Sequence, residues 1–180
     1  VAANFGAEVP FVRPANLSED NAPEWAVWQH AINYFESNNL RTDALVVLPP
    51  TGPLRRVKDV TKAINIFSEN NFDIVITVTE SRRSPQFNMV RQERDGSFSL
   101  AMPSTKKVSR RQDSAAFFDI TTNCYVAQPD YVQNTNHLFS GKVGAVCVPF
   151  ETGIDIDDEL DLELAEFLIK RNRKVCSNGS

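Results

Sequence analysis

A chain of 180 residues holds one compact domain with a substantial core and leaves little room for a second. Its 42% hydrophobic and 23% charged residues are ordinary globular composition, and a net charge of -4 excludes general electrostatic attraction to nucleic acid or to an anionic membrane surface. No apolar run approaches the roughly 20 residues that span a bilayer, and no signal-peptide pattern opens the sequence.

Taken in chain order, two kinds of segment alternate, the pattern of an α/β protein. The sequence opens at Val1 in what reads as the end of a helix. A helix is expected from Pro23 to about Glu36, with Pro23 suited to its first turn and Trp25, Trp28, His30, Ala31 and Phe35 near helical spacing. Ala44 to Leu48 is a short apolar run halted by Pro49 and Pro50, a buried strand ending in a loop. Val57, Val60, Ala63, Ile64 and Phe67 mark one stripe of an amphipathic helix, closed by Asn70 and Asn71. Phe72 to Val78 then resumes as a strand. Strand, loop, helix, strand in this length reads as a βαβ unit with parallel strands and a right-handed crossover.

From Arg82 to Asp113 apolar residues thin out and charges crowd, with Asp95-Gly96 as a hairpin turn between Phe87–Gln92 and Ser97–Ala101. This composition suits an excursion from the main sheet. Phe117 to Val126 and Val143 to Val148 return to strand character, with a short helix after Pro129. The last helix is expected from about Asp158 to Arg171, with Leu160, Leu164, Phe167 and Leu168 on one face and basic residues at its C-terminal end, where they complement the helix dipole. Cys124, Cys147 and Cys176 are odd in number, widely spaced and free of any C-x-x-C pair, so they read as reduced thiols of a cytoplasmic protein.

Three constellations carry candidate chemistry. Pro49 to Arg55 (P-P-T-G-P-L-R) follows a strand, at the edge where open α/β sheets bind ligands. Gly52 lets a ligand approach the backbone and Arg55 suits a phosphate or carboxylate; the competing reading is a proline-stiffened turn with a solvated arginine. Ile154 to Asp161 (I-D-I-D-D-E-L-D), if extended at its start, turns Asp155 and Asp157 to one side and Ile154 and Ile156 to the other. Two carboxylates so placed suit Mg²⁺, which often takes one or two carboxylates plus phosphate oxygens. The competing reading is helix capping by Asp157 or Asp158, which explains Asp155 least well. Arg110-Arg111-Gln112-Asp113 is the third, suited to acidic sugars or phosphates or else an ordinary solvated surface. His30 reads as packing, His137 lacks an acid partner at a telling spacing, and no Ser/His/Asp, P-loop or G-x-G-x-x-G pattern is present.

These constellations occur together, in this order, in the CMP-acylneuraminate cytidylyltransferase family, which the chain resembles over almost its whole length. Gly6 to Asp20 is similar to that family's segment between its second and third core strands, and L-P-P-T-G-P-L-R (Leu48 to Arg55) to its strand-end loop. R-R-Q-D, followed by Phe118 and Tyr125, resembles its sugar-site segment, and Gly153 to Glu166 its C-terminal signature. The resemblance implies a three-layer α/β/α sandwich with a mainly parallel sheet of the nucleotide-diphosphosugar-transferase type. It implies transfer of CMP from CTP to a nine-carbon acidic keto-sugar, with pyrophosphate leaving and Mg²⁺ held by Asp155 and Asp157. It implies Arg111 as the contact for the sugar acid, and Thr51, Gly52, Arg55, Gln112 and Tyr125 as substrate-binding residues. It also implies one domain over 1–175 with a homodimerisation arm at about 82–118 and a tail over 176–180.

Departures from the family pattern sharpen the expectations. The family opens with a strand and an Arg/Ser/Lys-rich loop that grips the CTP phosphates, and nothing before Val1 supplies one, so the domain is expected to be N-terminally incomplete. Many members have Gln at the place of Pro49, Ser at Gly52 and Asn-Gly at Thr121-Thr122. These changes leave open a second reading: a catalytically silent relative that binds nucleotide or sugar, or a cytidylyltransferase for another acidic keto-sugar.

Overall fold

The computed structural model describes residues 1–19, 21–103, 110 and 115–177, with side chains as far as residue 172. A 3₁₀ turn over Ala2–Phe5, closed by Gly6 at φ +84°, and a second over Ala15–Leu17 precede α1 (Glu24–Ser37), β1 (Leu45–Val47), α2 (Val57–Glu69) and β2 (Ile74–Glu80). A hairpin of β3 (Val90–Gln92) and β4 (Phe98–Leu100) follows, then β5 (Phe118–Ala127), α3 (Pro129–Asn134), β6 (Val143–Cys147) and α4 (Glu159–Ser177).

The most apolar run of the sequence forms the middle of the sheet, because only a strand covered on both faces can bury every residue. In β2 the residues from Ile74 to Thr79 are all buried. The strand order is β1-β5-β2-β6. β2 pairs parallel with β6, whereas β5 runs antiparallel to both β1 and β2. Three of the four strands share one direction, but β5 runs against them, so the sheet is mixed rather than mainly parallel, with β2–β6 its one parallel ladder among the described residues. The βαβ reading needs one amendment: β1 and β2 run the same way across the α2 crossover, but the later strand β5 lies between them, so they are not neighbours.

Side chains alternate between the sheet's two faces. Ile74, Ile76, Val78, Tyr125 and Ala127 meet Trp28 and Ile32 of α1 and Tyr131 and Val132 of α3. On the other face Val75, Val126, Val146 and Cys124 meet Ala63 of α2, with Val60, Ile66 and Phe67 packed against them. Helices thus cover both faces, giving three layers. α1 also completes α3: Trp25 Nε1 donates to the carbonyls of Val132 (3.2 Å) and Thr135 (2.8 Å), and Gln29 Nε2 to the same pair at 3.0 and 3.1 Å. Those carbonyls are the ones a short helix leaves without intrahelical partners.

Two expected stripes are corrected. In α2, Val60, Ala63 and Phe67 face the sheet as predicted, but Val57 and Ile64 are exposed and Ile66 packs inward instead. In α4, Leu168 is buried with Ala165, while Leu160, Leu164 and Phe167 face outward. The expected tail from residue 176 is also shortened, since α4 continues through Cys176 to Ser177. The hairpin stands as predicted, in a two-stranded sheet of its own, with Gly96 at φ +86° in the turn, where a side chain would be strained.

Candidate active site at the carboxyl edge of the sheet

The register between β2 and β5 slips at the end of the sheet where β1 stops. Ile76 faces Tyr125, but the next residue, Thr77, faces Thr121, so residues 122–124 of β5 bulge out of the ladder. A bulge strips backbone groups of their partners. Two side chains replace them. The Thr77 hydroxyl, fully buried, accepts from Cys124 N–H at 3.1 Å and lies 3.2 Å from its carbonyl, and the Thr121 hydroxyl donates to Thr77 at 2.9 Å. Arg55 serves the other side. Its Nε donates to the Asn123 carbonyl, and its Nη2 donates to the carbonyl of Pro49 and, at 3.4 Å, to that of Thr122. Burial pushes the Arg55 pKa down, while the Cys124 thiol is pushed by burial up to about 11.

Arg55 is therefore half-buried and not the solvated arginine of the competing reading. Nε and Nη2 hold the Pro49–Arg55 loop on the bulge. Gly52 has a matching reason to lack a side chain, since a Cβ there would lie 3.1 Å from Thr122 O and 3.2 Å from Arg55 Nη2. Beside it the Asn123 side chain is 1% exposed, and neither its oxygen nor its nitrogen has a partner in the protein.

The acidic segment arrives at the same place. After β6, a 3₁₀ turn over Phe150–Thr152 starts a strap that crosses the strand ends, and Ile156 N–H donates to Thr51 O at 3.0 Å. This bond joins the first and second sequence constellations. Capping is assigned to Asp158: its Oδ1 accepts from Asp161 N–H at 3.0 Å, while Asp161 Oδ2 accepts from the N–H groups of Asp157 (3.1 Å) and Asp158 (3.3 Å), a reciprocal box at the start of α4. Asp155 takes no part in it. Its Oδ1 is buried without a hydrogen-bond partner, whereas Asp157 is exposed.

Asp155 stands within electrostatic range of two groups that the sequence did not single out as one site. The Glu24 carboxyl, at the first turn of α1, is raised by burial, lowered by the Trp28 side chain and raised again by Asp155. The Tyr125 hydroxyl is pushed up to about 12 by burial, then by Glu24 and Asp155, so it is a neutral hydroxyl at physiological pH. Glu24 and Trp28 line a cleft of about 460 Å³ whose other walls include Arg13, Ser18, Leu48 and Pro49. A larger hollow of about 560 Å³ lies at the opposite end of β1, around Thr42 and Gln128, away from Thr51 and Asp155.

The structure thus gathers Thr51, Gly52, Arg55, Tyr125 and Asp155 at one edge, with Asp157 exposed beside them. Arg111 and Gln112 lie outside the described residues; Arg110 is exposed. Glu24 was missed because an acid in a first helical turn already has a reason to be there. Asn123 was missed because an amide within a strand gives no local sign of a bulge. Among the described residues no three His, Cys, Asp or Glu side chains gather as a metal-holding group, and no helix is long and apolar enough to cross a membrane.

A cleft at the carboxyl ends of strands in a three-layer α/β fold, with the unpartnered Asp155 carboxylate near its Glu24 wall, is where sheets of this kind bind ligands. The fold is similar to that of a CMP:2-keto-3-deoxy-manno-octonic acid synthetase solved with CTP (TM-score 0.60, 14% identity, 95% of this chain and 76% of that one). The chain is 30% identical over 174 residues to post-translational flagellin modification protein B of Campylobacter coli, covering 94% of this chain and 72% of the relative. It is 31% identical over 171 residues to the CMP-N,N'-diacetyllegionaminic acid synthase of Campylobacter jejuni (94% and 71%) and 28% identical over 179 residues to a pseudaminic acid cytidylyltransferase of the same species (97% and 74%). No family model matches. The chain belongs to the acylneuraminate cytidylyltransferase family.

Proposed function

We propose that this protein activates a nonulosonic acid by transferring CMP from CTP to its anomeric hydroxyl, with release of pyrophosphate. The observation that carries the reading is the Ile156 N–H to Thr51 O bond, which fastens the acidic strap to the strand-end loop and sets Asp155 beside the cleft. The attacking hydroxyl must meet the α-phosphate in line, so holding two substrates against one rigid edge is most of the catalytic task. Tyr125, neutral and buried, offers a hydrogen bond to the sugar, and Arg111 supplies the fork that suits its carboxylate. The relatives named for legionaminic and pseudaminic acids support a nine-carbon substrate.

The donor set fits Mg²⁺. A buried carboxylate oxygen without a partner, next to an exposed carboxylate two residues on, is what a hard cation completed by phosphate oxygens requires. Asp155 and Asp157 would hold the ion, and when bound it offsets charge on the triphosphate. Cytoplasmic residence agrees with the use of CTP.

A homodimer completes the reading. The hairpin carries Phe87, Met89, Val90, Phe98 and Met102 with 39% to 65% of their surface exposed, more apolar surface than a two-stranded ribbon hides by itself. A second copy of the chain is its proposed cover, as the family's arm implies.

The test is pyrophosphate release by the complete protein with CTP, Mg²⁺ and a panel of eight- and nine-carbon keto-acid sugars. Turnover confined to nine-carbon sugars is expected; no release across the panel would sink the proposal.

A further inference from the structure

Arg82 follows β2 after Ser81, at the same edge of the sheet as Asp155. Its backbone sits in a turn fastened on both sides by buried serines. Ser81 N–H donates to Phe117 O at 2.9 Å and Ser81 Oγ to Arg83 O at 2.8 Å, while Ser84 N–H donates to Asn88 Oδ1 at 2.7 Å. The far end of the side chain is fixed too: the guanidinium carbon lies 3.6 Å from the centroid of the Phe150 ring. Phe150 opens the strap that carries Asp155, and Gly153, midway between them, comes so close to β5 that a Cβ would meet Thr121 Cγ2 at 2.7 Å. The strap is therefore packed closely on β5 between the ring and the carboxylate.

Stacking on a ring occupies the flat face of a guanidinium and leaves its five N–H donors free in the plane. Among the described residues no carboxylate forms an ion pair with Arg82, and the residue is exposed. An arginine held at both ends, with its donor edge open at the same carboxyl edge of the sheet as the cleft-lining Pro49 and Pro50, has lost in advance the freedom that binding an anion would otherwise remove. Arg55 at the same edge makes the contrast, since its Nε and Nη2 are engaged by backbone carbonyls.

We propose that Arg82, stacked on Phe150, is a specificity-determining contact that receives an oxyanion of a substrate. The anion is either the sugar carboxylate or the phosphates of the nucleotide, which share the chemistry of a charge-assisted, paired hydrogen bond. The identity of these two sources rests on the transferase reading above.

The test separates the two sources and does not depend on turnover. Calorimetric titration of the complete protein with inorganic pyrophosphate and, separately, with N-acetylneuraminate is compared for the wild type, Arg82→Gln, Arg82→Lys and Phe150→Leu. Arg82→Gln is expected to weaken one probe about tenfold, the lower end for a lost bond to a charged group, with an unchanged Tm. Arg82→Lys restores part of the loss, because it returns the charge without the fork, and Phe150→Leu gives a smaller loss for the same probe. Weakening of pyrophosphate alone assigns the phosphates; weakening of the sugar alone assigns the carboxylate. Equal affinity for both probes in the wild type and Arg82→Gln overturns the inference, as does failure of the wild type to bind either. Absence of CTP turnover by a wild type whose binding still depends on Arg82 would overturn the transferase reading and leave this one standing.

Discussion

The body of the sheet and its carboxyl rim are built from the same strands on opposite terms. In the body, between Ile74 and Ile76 on β2 and Tyr125 and Ala127 on β5, ladder pairing is regular and the side chains are apolar and buried. One step further along, the register breaks and polar groups collect: Thr77, Thr121, Thr122, Asn123 and Asp155. Several of their buried atoms lack a partner in the protein, namely Thr122 Oγ1, both amide atoms of Asn123 and Asp155 Oδ1. Unpaired buried polar atoms are costly, and four of the six among the described residues gather at this edge, the others being His30 Nε2 and Thr42 Oγ1, so the edge has the character of a site shaped to be completed by something else. On the proposed reading, stability is stored in the body and chemistry falls to the rim.

The sharpest test of that division is Asp155→Asn. If the rim carries the chemistry, turnover falls by roughly 10²- to 10³-fold, as when a charged transition-state contact is lost, while Tm stays within a few degrees or rises. A variant with wild-type turnover would remove Asp155 from the mechanism. Ile32→Ala tests the other half. Ile32 is 1% exposed in the α1 layer, and its truncation should cost about 2–5 kcal/mol by denaturant titration while KM for CTP is unchanged in the fraction that remains folded. A large KM change there would show that body and rim are not separable.

Much of this division can be read from the sequence, and what escapes is non-local. Alternation and helical spacing locate nearly every element, because period and turn residues are local properties. Leu160, Leu164 and Phe167 have good helical spacing yet face outward in α4, since spacing identifies a stripe without saying what lies opposite it. The insertion of β5 between β1 and β2 depends on pairing across some 40 residues or more, and no local pattern records it. The same slip creates the bulge that draws Arg55 inward. Asp155 stood out in the sequence because capping explained it least well, and in the fold the capping box takes the side chains of Asp158 and Asp161 and leaves those of Asp155 and Asp157 outside it.

Alkaline titration gives a smaller effect and places Tyr125 and Cys124 on the boundary. Both are neutral in the fold and held so by burial, Tyr125 to about 12 and Cys124 to about 11, above their ordinary values near 10 and 9. Between the ordinary and the raised value the folded protein binds more protons than the unfolded chain, so stability falls as pH rises. The loss should begin near pH 9 with Cys124 and continue through pH 12 with Tyr125. Cys124→Ala should flatten the first part of the curve and Tyr125→Phe the second, in thermal melts from pH 7 to 11.5. A curve unaltered by both variants would show that neither group is held neutral.

The smallest expected effect concerns Gly52, where the two regions touch. A Cβ there would lie 3.1 Å from Thr122 O, 3.2 Å from Arg55 Nη2 and 3.5 Å from Asn123 Oδ1. The first contact is with backbone and the second with a guanidinium fixed by carbonyls, so neither yields easily, and Gly52→Ala should cost about 1–2 kcal/mol through crowding. Serine adds the same Cβ but brings a hydroxyl within reach of the unpaired Asn123 oxygen. That bond is worth about 1 kcal/mol and offsets most of the crowding. Gly52→Ser is therefore expected to be more stable than Gly52→Ala, an inversion of what side-chain volume alone dictates. Denaturant midpoints for the pair decide it: if serine is as damaging as alanine or worse, the Asn123 oxygen is not an open acceptor, and the rim is less incomplete than its buried polar atoms indicate.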